Sequence, residues 1–148
     1  MDHTTGHQFQ KTNINPIGKA VLVTGGAGYV GSHTCKFLAK NGYTPIVIDR
    51  DLRTRFKPVE FGPSFDINLP QEIERLDEII TRFNITSCIH FAGSASVAES
   101  VKHPSEYYKN NVIATVALLD KLIECGVKTF VYSSSAATYG DPGMNLCK

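Results

Sequence analysis

Short runs of apolar residues alternate with longer amphipathic segments along this chain, a pattern typical of α/β proteins built on a parallel sheet. Each run is short and bounded by polar residues, as expected for a strand that helices cover on both faces. The predicted strands are residues 21–23, 46–48, 87–92 and 129–132, with a weaker candidate at residues 59–65 that proline and glycine interrupt.

The segments between these runs carry apolar residues at the spacing of helices. One helix is predicted after Gly31, where Thr34, Phe37 and Leu38 recur with helical period. A second has one apolar face, made of Ile73, Leu76, Ile79, Ile80 and Phe83.

The longest predicted helix begins at Pro104 and runs to about Cys125, where Gly126 stops it. Asn110 and Asn111 lie early in this helix, either as a polar contact within a packed face or as exposed amides. The apolar stripe that we expect to pack against the sheet consists of Tyr108, Val112, Val116, Leu119 and Ile123.

This alternation predicts an α/β fold, a doubly wound parallel sheet that is Rossmann-like, with strand order 3-2-1-4-5. Such sheets usually continue to six or seven strands, so we expect this one to be truncated after about five. Residues 1–18 are polar and are predicted to form an N-terminal tail, and residues 19–148 a single nucleotide-binding domain.

A glycine-rich turn follows the first predicted strand. Gly25, Gly28 and Gly31 are spaced by three residues, which lets the chain turn sharply, approach a diphosphate closely and pack a helix against the strand. The start of that helix offers N–H groups and a positive dipole to phosphates. Asp49 ends the second strand and fits a ribose 2′-hydroxyl, so the segment predicts dinucleotide binding.

Composition and charge argue against several classes of protein. The formal net charge of +1 argues against a nucleic-acid surface or a polybasic membrane patch. No apolar run approaches the roughly 18 residues of a membrane span, and the polar start of the chain has no signal-peptide core, so a cytoplasmic location is expected. The cysteines stand at widely separated positions, which favours free thiols over disulfides or a metal site, at Cys35, Cys88, Cys125 and Cys147.

Two further polar features have an ordinary structural interpretation beside a functional one. His90 lies inside an apolar run, so a hydrogen-bonded core histidine is the favoured interpretation over a catalytic one. Residues 133–135 are three serines at the carboxyl end of a predicted strand, where open α/β sheets bind ligands, although a polar loop would look the same.

Several blocks together resemble the UDP-glucose 4-epimerases, which belong to the extended branch of the short-chain dehydrogenase/reductase superfamily. The likeness covers residues 19–143, and the glycine spacing G-x-x-G-x-x-G agrees with it. The matching blocks are residues 21–35 (VLVTGGAGYVGSHTC), 90–93 (HFAG), 99–101 (ESV), 106–112 (EYYKNNV) and 133–140 (SSSAATYG).

The resemblance implies an NAD-dependent isomerase of galactose metabolism that interconverts UDP-glucose and UDP-galactose. A tightly held NAD would take a hydride from C4 of a UDP-hexose and return it to the other face. Ser135 would hydrogen-bond the 4-hydroxyl of the sugar. The implied cofactor-binding residues are Gly25, Gly28, Tyr29, Val30 and Gly31 at the diphosphate, Asp49 at the adenosine ribose, Asp66 and Ile67 at the adenine, and Phe91, Ala92, Gly93 and Asn110 beside the cofactor.

The sequence departs from the family pattern in three respects, two of which bear on activity and one on the choice of cofactor. The family's Tyr-x-x-x-Lys base motif occurs nowhere in this sequence, and the resemblance covers only the nucleotide-binding part, so we expect the C-terminal domain that holds UDP in the family to be absent. Arg50 stands where Asn commonly follows the acid; it could accommodate a 2′-phosphate, but Asp49 would repel that charge, so NAD is favoured. We therefore expect the chain alone to be inactive or nearly so.

Two alternatives stay open at this stage. One is another NAD-dependent nucleotide-sugar dehydratase or reductase, because these share the glycine turn and the sheet. The other is a non-catalytic module that binds NAD or a partner, since a sheet of five strands leaves an edge uncovered. That edge predicts a homo-oligomer or pairing with a missing C-terminal half.

Overall fold

The computed structural model describes residues 19–50, 52, 61–140 and 143. Within these residues one parallel sheet is formed by β1 (Lys19–Thr24), β2 (Tyr43–Asp49), β3 (Ser64–Asp66), β4 (Ser87–His90) and β5 (Thr129–Tyr132). The spatial order is β3-β2-β1-β4-β5, which confirms the predicted fold class and strand order.

Helices connect β1 to β2, β3 to β4 and β4 to β5, in the alternation that the sequence predicts. The chain continues through a π-helical turn (Tyr108–Ile113) between the fourth and fifth helices, and a 3₁₀ helix (Ala136–Tyr139) follows β5. The α-helices are α1 (Tyr29–Lys40), α2 (Arg75–Phe83), α3 (Val97–Lys102), α4 (Pro104–Tyr107) and α5 (Ala114–Glu124).

The two faces of the sheet are covered by different helices, because side chains alternate along each strand. Leu22 and Ile46 belong to a large buried cluster that also contains Leu76 of α2 and Leu118 of α5. On the other face, Val21, Val23 and Val47 pack with Cys35 of α1. Apolar residues at consecutive strand positions are therefore all buried, which explains why the strands read as continuous apolar runs.

The long helix packs on a different face from the predicted one. Its stripe was expected to be buried, but Tyr108, Val112, Val116 and Ile123 are exposed and Leu119 is only half-buried. The residues that do pack are Ala114, Leu118 and Leu122, together with Lys121. Both sets recur with helical period, so periodicity alone did not identify the packed face, and the predicted stripe was wrong.

A buried lysine joins α2 to α5. Lys121 Nζ lies 2.8 Å from Glu74 Oε2, 3.1 Å from Asp77 Oδ2 and 3.1 Å from Glu124 Oε2. The carboxylate of Asp77 also accepts a hydrogen bond from Cys125 Sγ at 3.2 Å. Glu74, Asp77 and Glu124, in that order, raise the pKa of Lys121, so its ammonium stays charged despite its burial.

Several element boundaries differ from the prediction. β4 ends at His90, whereas the predicted strand ran to residue 92, and β3 begins at Ser64. The short helix α3 was not predicted, because its six residues are too few to show a helical period. Phe37 is exposed on α1. The predicted tail at residues 1–18, the start of the weak strand at Val59 and Cys147 lie outside the described residues.

Replacing Lys121 by Met should lower the melting temperature at neutral pH, because three carboxylates would then face one another without their cation. The thiol of Cys125 and the ammonium of Lys121 hold the pKa of Asp77 below its ordinary value of 3.8, so this stabilisation is present above that pH and is lost as acid protonates the folded carboxyl. The pKa of Lys121 is raised above its ordinary 10.5. At alkaline pH the stabilisation is therefore lost only above that value, as the ammonium of the folded chain deprotonates.

Thermal unfolding at a series of pH values checks this prediction. The gap in melting temperature between wild type and Lys121→Met should be widest from about pH 5 to about pH 9 and should shrink below about pH 4. Lys36→Met, an exposed lysine of α1, serves as the matched control and should show little change. An equal gap at pH 3 and pH 7 would contradict the prediction.

Candidate functional site

The turn between β1 and α1 has the geometry that its glycines predict. Gly25 adopts φ +68°, a left-handed conformation that side chains rarely occupy, and its N–H donates to the carbonyl of Ile48 at 2.9 Å. The N–H of Gly28 then donates to the carbonyl of Gly25 at 3.1 Å. α1 begins at the next residue, and Gly28 supplies no side-chain cap, so the first turn has N–H groups without intrahelical partners.

Three chain segments meet at this turn because two of its glycines lack a Cβ. A Cβ on Gly31 would lie 2.3 Å from the carbonyl oxygen of Gly25, within the body of the turn. A Cβ on Gly25 would lie 2.6 Å from the backbone nitrogen of Ala92, in the loop after β4. The first helix, the turn and the loop after β4 therefore approach one another too closely for a side chain at either glycine.

Asp49 ends β2 beside the same turn. Its Oδ2 accepts a hydrogen bond from the N–H of Ala27 at 2.9 Å, and its carbonyl accepts from the N–H of Ile67 at 3.0 Å. Asp49 is half-buried, whereas Arg50, the next residue, is exposed. The carboxyl ends of β1, β2 and β3 thus meet at one edge of the sheet, where open α/β sheets bind ligands.

A cavity of about 400 Å³ opens at this edge. Its walls come from the glycine turn, the ends of β2 and β3, the loop after β4, and the helices α3 to α5. Eight residues of the predicted cofactor site line it: Gly25, Gly28, Asp49, Ile67, Phe91, Ala92, Gly93 and Asn110.

The other four predicted cofactor residues are not part of the cavity lining. Tyr29 and Val30 are exposed in the first turn of α1, and Gly31 is buried beneath the turn. Asp66 is exposed at the end of β3, and its carbonyl accepts a hydrogen bond from Arg75 at 2.8 Å. Cofactor contact by any of the twelve stays a prediction.

The amides at the start of the long helix make polar contacts. Asn111 forms a reciprocal pair with the backbone of Ser94: its Oδ1 accepts from the Ser94 N–H and its Nδ2 donates to the Ser94 carbonyl, each at 2.8 Å. Asn110 Nδ2 donates to Ser94 Oγ at 3.0 Å. These contacts confirm the interpretation of the amides as polar contacts and fix the loop that follows β4.

Other residues line the cavity although the sequence did not identify them as cofactor contacts. Asn68 and Leu69 follow the short strand β3, whose boundaries were uncertain. Tyr107 and Glu99 line the cavity together, and the Tyr107 hydroxyl donates to Glu99 Oε2 at 3.1 Å. The unpredicted helix α3 brings Glu99 to this position, so only a tertiary structure could place it.

His90 is a core residue, as predicted. It is 2% exposed, with Nδ1 hydrogen-bonded to Thr24 Oγ1 and Nε2 lying 3.0 Å from Thr115 Oγ1. Burial lowers the pKa of His90, so its imidazole is neutral at physiological pH. The ring links β1, β4 and the long helix, and His90 forms part of the cavity lining.

Ser135 lies in a second groove of about 560 Å³ that shares residues 91–96 with the first cavity. It precedes the 3₁₀ helix, and its Oγ accepts a hydrogen bond from the N–H of Ala137 at 3.2 Å. The serine is exposed at the carboxyl end of β5. Its contact with a sugar hydroxyl stays a prediction.

The described cysteines are free thiols. Burial raises the pKa of Cys35 to about 11 and that of Cys88 to about 12, so both stay protonated. Across residues 19–50 and 61–140, no group of His, Cys, Asp or Glu side chains is arranged to hold a metal ion. Among the helices of the same residues, none has the length and apolar character of a membrane span.

A parallel sheet wound on both faces, with a glycine turn and an acidic residue at its switch point, defines a Rossmann-like domain of the class that binds dinucleotides. Residues 21–145 match the family described as "NAD dependent epimerase/dehydratase family". The chain belongs to this family.

Similar proteins carry one recurring name. The chain is 44% identical over 125 residues to a UDP-glucose 4-epimerase of Rhizobium leguminosarum bv. trifolii, covering 84% of this chain and 38% of that protein. It is 42% identical over 128 residues to a UDP-glucose 4-epimerase sequence of Klebsiella pneumoniae, covering 82% of this chain and 92% of that sequence.

Solved structures similar to this chain are also UDP-glucose 4-epimerases. A UDP-glucose 4-epimerase from Brucella ovis in complex with NAD superposes with a TM-score of 0.76 at 43% identity, covering 82% of this chain and 37% of that one. The enzyme from Bifidobacterium longum, in complex with NAD⁺ and UDP, gives 0.71 at 34% identity, covering 82% of this chain and 38% of that one. The chain therefore spans little more than a third of most of these relatives.

Gly31→Ala should destabilise the fold, because its Cβ would lie 2.3 Å from a backbone oxygen that cannot move without shifting the turn. We expect a loss of about 1–3 kcal/mol in the free energy of unfolding, measured by urea denaturation. Lys36→Ala, on the exposed side of the same helix, should change it by less than about 0.5 kcal/mol. Equal stability of the two variants would show that the turn is looser than described.

Proposed function

We propose that this chain binds NAD and forms the dinucleotide-binding part of a UDP-glucose 4-epimerase. The observation that carries the proposal is the meeting, at one cavity, of the glycine turn, Asp49 and the loop at residues 91–93. Residues 19–148 form one domain in this proposal. The recurring name of the relatives favours an epimerase over another nucleotide-sugar dehydratase or reductase.

The residues present fit an extended dinucleotide. Gly25 and Gly28 keep the cavity wall free of side chains at the start of α1, where N–H groups and the helix dipole favour a diphosphate. The N–H of Ala27 fixes the carboxylate of Asp49 beside the turn, where it can accept hydrogen bonds from ribose hydroxyls. The other proposed contacts are Tyr29, Val30 and Gly31 at the diphosphate, Asp66 and Ile67 at the adenine, and Phe91, Ala92, Gly93 and Asn110 along the cofactor.

NAD supplies the hydride acceptor for C4 of a nucleotide-linked hexose in this chemistry. The chain contributes Ser135, whose hydroxyl can hydrogen-bond the 4-hydroxyl of the sugar. Removing the proton from that hydroxyl needs a base whose pKa lies near the working pH. His90 does not fit this role, because it is 2% exposed and both ring nitrogens are hydrogen-bonded to threonines.

The surface beside Ser135 supports a partner for this domain. Val131 and Tyr132 of the edge strand β5 are each 52% exposed, and Tyr139 nearby is 71% exposed. An uncovered strand edge with apolar neighbours can pair with a further strand. We propose that this edge pairs with a second copy or with a segment equivalent to the remainder of the longer relatives. The free, protonated thiols agree with a cytoplasmic location.

Calorimetric titration of the chain with NAD tests the binding proposal. Gly28→Val should reduce NAD affinity by at least tenfold, because the side chain would fill the wall against which the diphosphate lies. Thr81→Val, an exposed substitution on α2, should leave the affinity unchanged. Equal affinity of wild type and Gly28→Val would remove the proposal that the turn holds the cofactor.

The purified 148-residue chain should not convert UDP-galactose to UDP-glucose at a measurable rate. This sequence contains no Tyr-x-x-x-Lys motif, and Ser135 alone has no means of accepting the proton. The measurement is product formation by chromatography with NAD present, compared with a complete epimerase as positive control. Turnover that survives repeated purification would show that another group of this chain acts as the base.

A further inference from the structure

We propose that Arg50 is the cationic contact for the diphosphate of the bound dinucleotide. This inference rests on the proposed function and adds a residue that the glycine turn and Asp49 do not supply. Arg50 directly follows the last residue of β2 and lines the 400 Å³ cavity.

The side chain of Arg50 reaches across the cavity mouth. Its Nη1 donates a hydrogen bond to Asn110 Oδ1 at 3.3 Å, joining the end of β2 to the π-helical turn. Asn110 is held in turn by its contact with Ser94 Oγ at 3.0 Å. The guanidinium therefore lies at the solvent-exposed mouth of the cavity.

The charges on the cavity wall indicate what Arg50 can bind. Among the described lining residues, Asp49 and Glu99 are carboxylates, and Arg50 carries the positive side-chain charge. A dinucleotide diphosphate brings about two negative charges into this wall. Helix N–H groups offset part of that charge, and a guanidinium at the mouth offsets more because it pairs with phosphate in a bidentate way.

The hydrogen bond from Arg50 to Asn110 is weak enough to be replaced by one to a phosphate. Its donor–acceptor distance of 3.3 Å is long, the contact is exposed, and its acceptor is a neutral amide. A hydrogen bond from a guanidinium to a phosphate oxygen is shorter and stronger. Arg50 can thus leave Asn110 for the ligand, while Asn110 keeps its contact with Ser94.

A 2′-phosphate is the competing partner for this arginine, and the structure disfavours it. Such a phosphate would stand beside the carboxylate of Asp49, which the N–H of Ala27 fixes at the end of β2. Two anions at that separation repel each other. The link to Asn110 draws the guanidinium away from that end of the site, toward the helical wall.

Calorimetric titrations with NAD, ADP, adenosine and NADP test the assignment on the full chain. Arg50→Gln should weaken NAD and ADP binding by about three- to tenfold and leave adenosine unchanged, because only the first two carry a diphosphate. Arg50→Lys should keep much of the ADP affinity. Arg82→Gln removes the same charge from an exposed position on α2 and should change none of the affinities. Circular dichroism confirms folding of each variant.

Two results would overturn the assignment while the proposed function stands. If Arg50→Gln weakens NADP alone, the arginine serves the 2′-phosphate. If it changes no affinity, Arg50 only bridges to Asn110. If wild-type chain fails to bind NAD, the proposed function itself fails and this inference falls with it.

Discussion

The structure depends on the close approach of backbone to backbone at two glycines of one turn. At Gly31 the first helix passes so near the turn that a single Cβ would lie 2.3 Å from the carbonyl oxygen of Gly25. At Gly25 the turn passes as near to the loop after β4, 2.6 Å from the nitrogen of Ala92. These contacts bring the start of α1, the end of β2 and residues 91–93 to the wall of one cavity, so the packing of the turn also shapes the proposed binding site.

Much of this arrangement could be predicted from the sequence, because its signals are local. Val21–Val23 and Ile46–Ile48 are buried on both faces and therefore read as continuous apolar runs. The three glycines and Asp49 have spacings that few other structures require. His90 was correctly interpreted as a core residue, since an imidazole within an apolar run must find hydrogen-bond partners, and Thr24 and Thr115 provide them.

The features that were wrong or missed depend on contacts between distant segments. The long helix has two sets of apolar residues with the same period, and contact of Leu118 and Leu122 with the sheet decides which one packs. The burial of a charged Lys121 depends on Glu74 and Asp77, which lie 47 and 44 positions away at the start of α2 and pair with its ammonium. The bridge from Arg50 to Asn110 joins residues 60 positions apart, so both residues could be singled out in the sequence but their contact could not.

A crystal structure of the chain with NAD tests the central claim most directly. The account predicts the diphosphate at the start of α1, within hydrogen-bond distance of the N–H groups of the first helical turn, and a ribose hydroxyl on the carboxylate of Asp49. It also predicts Gly25 and Gly31 unmoved by the ligand. NAD bound elsewhere, or a glycine turn that stays empty at saturating cofactor, would contradict the account.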